Sequence, residues 1–172
     1  MRAKKKKSGT LSDRLAIIRL VAMDVDGVLT EGRVTYDNNG REYKSFDAHD
    51  GYGMTRAQRH GLVLALITGR ASSMVSRRAK ELGIKEVHQK ITDKLIVYKM
   101  LKRRYGLRDE EVCYIGDDEP DVPVIQQVGV SAAPADGMDE VRSIVDIVTT
   151  RNGGRGAVRE ILDCILRSKK LL

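Results

Sequence analysis

The sequence predicts a doubly wound α/β fold, a mostly parallel, Rossmann-like sheet with helices on both faces and a small β-hairpin flap. Three observations predict it. Apolar runs at 17–23, 62–67 and 112–115 are short, partly β-branched and nearly uninterrupted, as strands covered on both faces must be. Stretches of helical length lie between them, closed by Gly61, Gly83 and Gly106. Each run also ends in a polar cluster: Asp24-Val25-Asp26-Gly27, Thr68-Gly69-Arg70 and Gly116-Asp117-Asp118-Glu119-Pro120-Asp121.

The first strand is read from Ile17 to Met23, stopped at Gly27. Alternating residues around Asp37-Asn38-Asn39-Gly40 then give a hairpin, expected to project as a flap. A helix is expected from Asp50 to about His60, and a buried strand over 62–67. A helix over 72–82, a short strand near Val87 and a helix over 93–105 follow; apolar Leu95, Ile96, Tyr98, Met100 and Leu101 mark the last. A strand at 112–115, a helix to about Val128, a strand at 129–132 and a helix over 138–144 continue the alternation. A last helix follows Gly153-Gly154-Arg155-Gly156.

The 172 residues suit one domain, and 41% apolar residues suffice for its core, which must be aliphatic because aromatics are only 4%. We expect a basic, disordered arm over residues 1–13 and one catalytic domain over 14–172. The charge supports that division. Removing the five positive side chains Arg2 and Lys4 to Lys7 from the net +7 leaves +2 on the rest. No aromatic or glycine-rich stretch accompanies the lysines, so a nucleic-acid partner is not expected. The apolar run after the arm is broken by Arg19 and lacks a cleavage site, and nothing approaches the ~20 residues of a membrane span. With Cys113 and Cys164 far apart and no CxxC motif, a reduced, cytoplasmic protein is expected.

Ligands of open α/β sheets sit beyond the carboxyl ends of the strands. There Asp24, Asp26, Thr68, Gly69 and the Asp117-Asp118 pair converge, joined by Lys94 from the start of a helix. Asp-x-Asp-Gly by itself also occurs in turns and calcium loops. With a hydroxyl, an ammonium and a second acidic pair it becomes a phosphate-handling set. Mg²⁺ takes one or two carboxylates plus phosphate and water oxygens, which Asp24 and Asp117 supply. A carboxylate can attack phosphorus and form an aspartyl-phosphate. Asp26, two residues on, is placed to protonate the leaving oxygen and then to deprotonate water. Lys90 rivals Lys94, but Lys94 follows Asp93 at a helix start. Arg70 either clamps a substrate carboxylate or pairs with a nearby acid. Asp121 either supports the metal site or serves a helix N-terminus. His49, His60 and His88 read as ordinary polar residues, and the turn at 153–156 as an anion nest or a helix entry.

These residues resemble the haloacid dehalogenase superfamily of phosphotransferases, which share Asp-x-Asp, a Thr or Ser, a Lys and a late acidic pair in that order. The likeness runs from about Val21 to Glu160. It implies Asp24 as nucleophile, Asp26 as acid/base and as a metal ligand through its carbonyl, Thr68 and Lys94 as phosphate binders, and Asp117 as metal ligand with Asp118 in support. More narrowly, 24–30, the hairpin, Asp50-Gly51-Tyr52-Gly53, 67–70, 116–121 and 152–160 resemble the capless subgroup that dephosphorylates 3-deoxy-D-manno-octulosonate 8-phosphate. No insertion is long enough for a cap domain. That resemblance implies Mg²⁺, a phosphorylated sugar acid from lipopolysaccharide synthesis and a homotetramer whose neighbours help close each site. It sets Gly51, Tyr52, Arg70, Asp118 and Asp121 at or behind the substrate. The segment Phe46-Asp47-Ala48-His49 lacks the basic residue some relatives carry, so a nonulosonate 9-phosphate is the alternative substrate. Outside enzymes, a phospho-receiver also combines an acidic pair, Asp, Thr or Ser and Lys. It places the pair before the phosphorylated Asp and has no acid two residues on. A non-catalytic binding subunit would have lost some of these residues.

Overall fold

The structure is a computed structural model that describes residues 9–172. Most of the expected basic arm therefore lies outside the described residues, and its boundary at 13 needs correcting. Thr10 caps helix α1 (Leu11–Ala16), its hydroxyl accepting from the Asp13 N–H while Asp13 reaches back to the Thr10 N–H. The folded body thus begins by Thr10.

The first strand, β1 (Leu20–Met23), starts three residues later than the apolar run, because Ile17 ends α1. After it come the hairpin β2 (Thr35–Tyr36) and β3 (Glu42–Tyr43), α2 (Ala48–Arg59), β4 (Val63–Ile67), α3 (Ser73–Glu81) and β5 (Glu86–His88). Next are α4 (Lys94–Arg104), β6 (Val112–Ile115), α5 (Val122–Ile125), β7 (Val130–Ala133), α6 (Asp139–Arg142), β8 (Ile147–Val148) and α7 (Ala157–Ser168). Asp47, not Asp50, caps α2, accepting from the His49 and Asp50 N–H groups, so this helix begins two residues early. The helix expected to reach Val128 stops at Ile125, and β8 is an edge strand too short for a periodic signal.

Six strands form one parallel sheet in the order β5-β4-β1-β6-β7-β8, and the hairpin forms its own antiparallel pair. Sheet residues alternate between two cores, as a period of two requires. Val21, Met23, Leu64, Leu66, Cys113 and Ile115 pack with helices α1, α2, α3 and α7, whereas Leu20, Ala22, Ala65, Ile67 and Tyr114 pack with α4, α5 and α6. The apolar face of α7 is fully buried through Val158, Ile161, Leu162, Ile165 and Leu166. Among the described residues no helix is long and apolar enough to cross a membrane.

This topology positions the site. From β1 the chain adds strands on one side, then crosses back to β6 on the other, so the switch point lies beyond the carboxyl ends of β1 and β6. Met23 is in register with both Leu66 and Ile115, so Asp24 and Gly116 emerge side by side, and Thr68, which follows Ile67, emerges one residue further along.

Candidate active site

Asp24 emerges directly from β1. Its N–H donates to the Ile115 carbonyl (3.0 Å), carrying the ladder one residue past Met23 and fixing where the side chain points. Its Oδ1 accepts from the Val25 N–H at 2.6 Å and its Oδ2 from Lys94 Nζ at 2.8 Å. Lys94, the first residue of α4, is only 4% exposed; Asp93 caps that helix through the Leu95 N–H and aims the lysine inward. The ammonium also donates to Asp121 Oδ1 (2.6 Å). Lys90, the rival lysine, is exposed and takes no part.

Asp121 is fully buried and saturated. Its Oδ1 accepts from Lys94 and from the Tyr114 hydroxyl (2.6 Å), its Oδ2 from the N–H groups of Asp117 (3.0 Å) and Asp118 (3.3 Å). Asp117 is its opposite. Its Oδ1 is buried and has no hydrogen-bond partner. Such an orphan costs roughly 1–3 kcal/mol, more when charged, unless something binds it. Ligand atoms of Asp24, Asp117 and Asp121 lie within 4.8 Å of one another. Because Asp121 already receives four donors, Asp24 and Asp117 are the carboxylates with capacity for a cation.

The electrostatics agree with the geometry. Burial first, and then the charges of Asp24 and Asp121, push the Asp117 carboxyl up to about 8. Burial also raises Asp24, to about 6, against the pull of Lys94. Burial pulls the Lys94 ammonium down, but Asp121 and Asp24 outweigh it and the net shift is upward. Three acids against one ammonium leave this buried centre with surplus negative charge, the condition a divalent cation relieves.

Glycines let the pieces meet. Gly27 has φ +91°, and a Cβ there would overlap the Asp117 carboxylate; Gly116 leaves the same room for Asp121. Gly153 and Gly154 press against the backbone of Gly27 and Thr30, and the Gly154 N–H donates to the Val28 carbonyl (2.9 Å). The Gly153 N–H is taken by Asp136 (2.8 Å). The turn at 153–156 is therefore a brace beneath the Asp24–Gly27 turn, and two N–H groups of the supposed anion nest are already engaged. Asp50 tops α7, accepting from the N–H groups of Gly156 (3.2 Å) and Arg159 (2.7 Å), a long-range cap.

Thr68 follows β4 and is 2% exposed; its backbone is tied to the His88 carbonyl (2.9 Å) and the Ile91 N–H (3.1 Å), and its hydroxyl accepts from the Arg70 N–H (3.3 Å). Gly69 beside it leaves the Ile91 carbonyl at ordinary contact distance. Arg70 donates to Glu42 (2.7 Å), with the Tyr36 hydroxyl at 3.4 Å and Asp26 Oδ2 at 3.9 Å. Of the two readings of Arg70, this is the pairing with a nearby acid.

The other predicted positions divide. Asp118 is exposed and caps the following turn through the Glu119 N–H (2.7 Å). Gly51 faces Arg78 and Leu82, and the Tyr52 ring lies between the guanidinium groups of Arg56 and Arg159 at 5.6 and 5.3 Å. Within one chain these contacts join α2 to α3 and α7, so Gly51 and Tyr52 are not brought to the acidic centre. Sequence reasoning missed Tyr114, whose hydroxyl hides in an apolar strand, and the hairpin residues Glu42 and Lys44. Their alternation with Tyr43 was the available signal, because it puts both on one face.

An all-parallel α/β sheet with this acidic centre at its switch point marks a phosphate-handling α/β protein. The chain matches the haloacid dehalogenase-like hydrolase family over residues 83–162. It is 43% identical over 149 residues to the 3-deoxy-D-manno-octulosonate 8-phosphate phosphatase KdsC of Escherichia coli K12, covering 87% of this chain and 79% of that one. The crystal structure of the corresponding phosphatase from Yersinia pestis superposes with a TM-score of 0.93 at 41% identity, covering 94% of this chain and 88% of that one. That from Moraxella catarrhalis, in complex with magnesium ion, phosphate ion and KDO, gives 0.90 at 40% identity, covering 92% and 91%. The chain belongs to the haloacid dehalogenase-like hydrolases, in the family of the 3-deoxy-D-manno-octulosonate 8-phosphate phosphatases.

Proposed function

We propose that this protein hydrolyses 3-deoxy-D-manno-octulosonate 8-phosphate to the free sugar acid and inorganic phosphate, through an aspartyl-phosphate on Asp24. The observation that carries the reading is the orphaned Asp117 oxygen facing Asp24 beside buried Lys94, in a chain 43% identical to a phosphatase of that substrate.

Mg²⁺ fits this centre: Asp24, Asp117 and the Asp26 carbonyl would hold it, and it would neutralise charge on the transferred phosphoryl group. The chain does the rest. An Asp24 carboxylate oxygen attacks phosphorus while the phosphorus–oxygen bond to the sugar breaks, and Asp26 gives that oxygen its proton. Lys94 spends two N–H groups on Asp24 and Asp121, which leaves its third for a phosphoryl oxygen; the Thr68 hydroxyl and the Gly69 N–H complete the cradle. In the second half Asp26 takes a proton from water as it attacks the aspartyl-phosphate, freeing phosphate and Asp24. Arg70 is the group assigned to the substrate carboxylate. Asp121 and Asp118 hold the loop that carries Asp117.

Assembly into a homotetramer belongs to the same reading. A two-stranded hairpin alone is marginal in water, and this one exposes Val34, Tyr36 and Tyr43. Such a flap suits burial against other copies, which is where Gly51 and Tyr52 could serve a neighbour's site. A cytoplasmic location is proposed because Cys113 and Cys164 lie far apart in the sequence and no CxxC motif accompanies them.

The test is a turnover panel of sugar-acid 8- and 9-phosphates and simple hexose phosphates, with Mg²⁺ and with EDTA. Preference for the octulosonate ester, abolished by EDTA, is expected. Preference for the nonulosonate 9-phosphate would move the substrate to the alternative, and turnover untouched by EDTA would remove the metal.

A further inference from the structure

We propose that Lys44, on the hairpin flap, is the positioning residue that orients Asp26 as proton donor; this rests on the phosphatase reading above. Lys44 follows β3 on a hairpin whose neighbouring Tyr43 is 53% exposed, yet its own side chain is 2% exposed. Burying an ammonium on so slight a flap is costly unless its partners hold it. The partners are Asp26 Oδ1, with which it forms a close ion pair, and Glu42 Oε1 at 3.7 Å. Glu42 in turn receives Arg70 at 2.7 Å, and Arg70 Nε lies 3.9 Å from Asp26 Oδ2. Two acids and two cations thus close a neutral ring that ties the flap to the turn after β1 and the loop after β4.

The ring assigns the two Asp26 oxygens. An ammonium is donor only, so the oxygen it holds must accept, and Oδ1 is committed. Whenever Asp26 takes up the proton it is to transfer, that proton therefore goes to Oδ2. When the sugar ester is cleaved, the bond from Asp24 to phosphorus forms, the bond from phosphorus to the sugar oxygen breaks, and the Oδ2 proton passes to that oxygen. Asp26 is left as a carboxylate beside Lys44. Without Lys44 the carboxyl group is free to rotate, and proton donation loses its geometry while attack by Asp24 does not.

Two esters separate positioning from a merely structural role. The sugar-acid phosphate has an alkoxide leaving group that needs a proton; p-nitrophenyl phosphate has one that departs without it. The constant kcat/KM covers steps through leaving-group departure. Lys44→Met is expected to lower kcat/KM for the sugar-acid phosphate about 10- to 100-fold, part of the ~10²–10⁴ that a placed proton donor contributes. For p-nitrophenyl phosphate the expected change is within about threefold, which also reports that the variant is folded. Lys44→Arg, which restores a donor, is expected to recover most of the loss. An equal fall on both esters, or no fall on either, overturns the role of Lys44 while the wild type still hydrolyses both. A wild type that hydrolyses neither ester with Mg²⁺ overturns the phosphatase reading and this proposal with it.

Discussion

The acidic centre and the hairpin flap hold charge in opposite ways. At the centre, buried strands deliver Asp24 and Asp117 to one spot, Asp121 is saturated by four donors, and one oxygen of Asp117 is left bare. The rigid sheet keeps those acids close although they repel. On the flap, Lys44, Glu42, Arg70 and Asp26 cancel one another in a ring, and each strand of the hairpin is only two residues long. The first region needs an outside charge and has the scaffold to wait for it. The second needs none and lacks such a scaffold, so its ion pairs hold it in place.

The sharpest way to break this contrast is to remove the proposed nucleophile. Asp24→Asn keeps size and most hydrogen bonding but lacks the carboxylate to which the proposed function gives the attack on phosphorus. Turnover is expected to fall at least ~10³-fold, because a nucleophile acts as a unit with its partners. Steady-state rates with Mg²⁺, beside circular dichroism to verify folding, check this. A near-normal rate would mean that the reacting group lies elsewhere and the buried acids only store charge.

A second test moves pH instead of residues. Metal-free Asp24 and Asp117 titrate near 6 and 8, both above the 3.8 of an unperturbed aspartate. Between those values the folded chain binds more protons than the unfolded one. Their contribution to stability is therefore complete below the unfolded value and is lost as pH rises through about 6 and about 8. Mg²⁺ competes with the same protons, so its effect must grow in the opposite direction. At roughly 100 Kd a ligand adds about 2.7 kcal/mol, worth ~5–10 °C in Tm for a chain of this size. Thermal unfolding with and without Mg²⁺ should show that gain at pH about 8 and a much smaller one at pH about 5. Equal gains at both would place the cation on groups other than these two acids.

The two regions were also unequally legible. The meeting of Asp24, Lys94 and Asp117 could be read because each sits at a strand or helix end that local patterning marks, and parallel register brings such ends together. Gly27 was legible as a stop, but its reason is an overlap with Asp117, which comes from another strand. The bond from Lys44 to Asp26 spans 18 residues across a turn, and the cap from Asp50 to α7 spans more than 100. No local pattern encodes which distant partner a charged residue finds. Helix α1 was hidden for a different reason: its single buried residue, Leu15, gives no periodicity, and its capping box lay inside what read as a basic arm.

The smallest expected effect on the single chain lies at the outer face of the flap. Tyr36 and Tyr43 are 59% and 53% exposed, and their chief links to the rest are a 3.4 Å contact with Arg70 and a 3.2 Å bond to Asp37. Exposed side chains away from packing cost within about 0.5 kcal/mol when changed. Replacing both, Tyr36→Ser with Tyr43→Ser, should therefore leave the circular dichroism spectrum unchanged. If these rings are instead the surface on which four copies meet, the same change dissociates them, because aromatic area at an interface is where binding energy concentrates. Light scattering should then read a mass near one chain in place of four. A variant that keeps the mass of four would locate the assembly contact away from the hairpin. The flap's exposed aromatics would then have no bearing on oligomerisation, and its ion ring would be all that fixes it over Asp26.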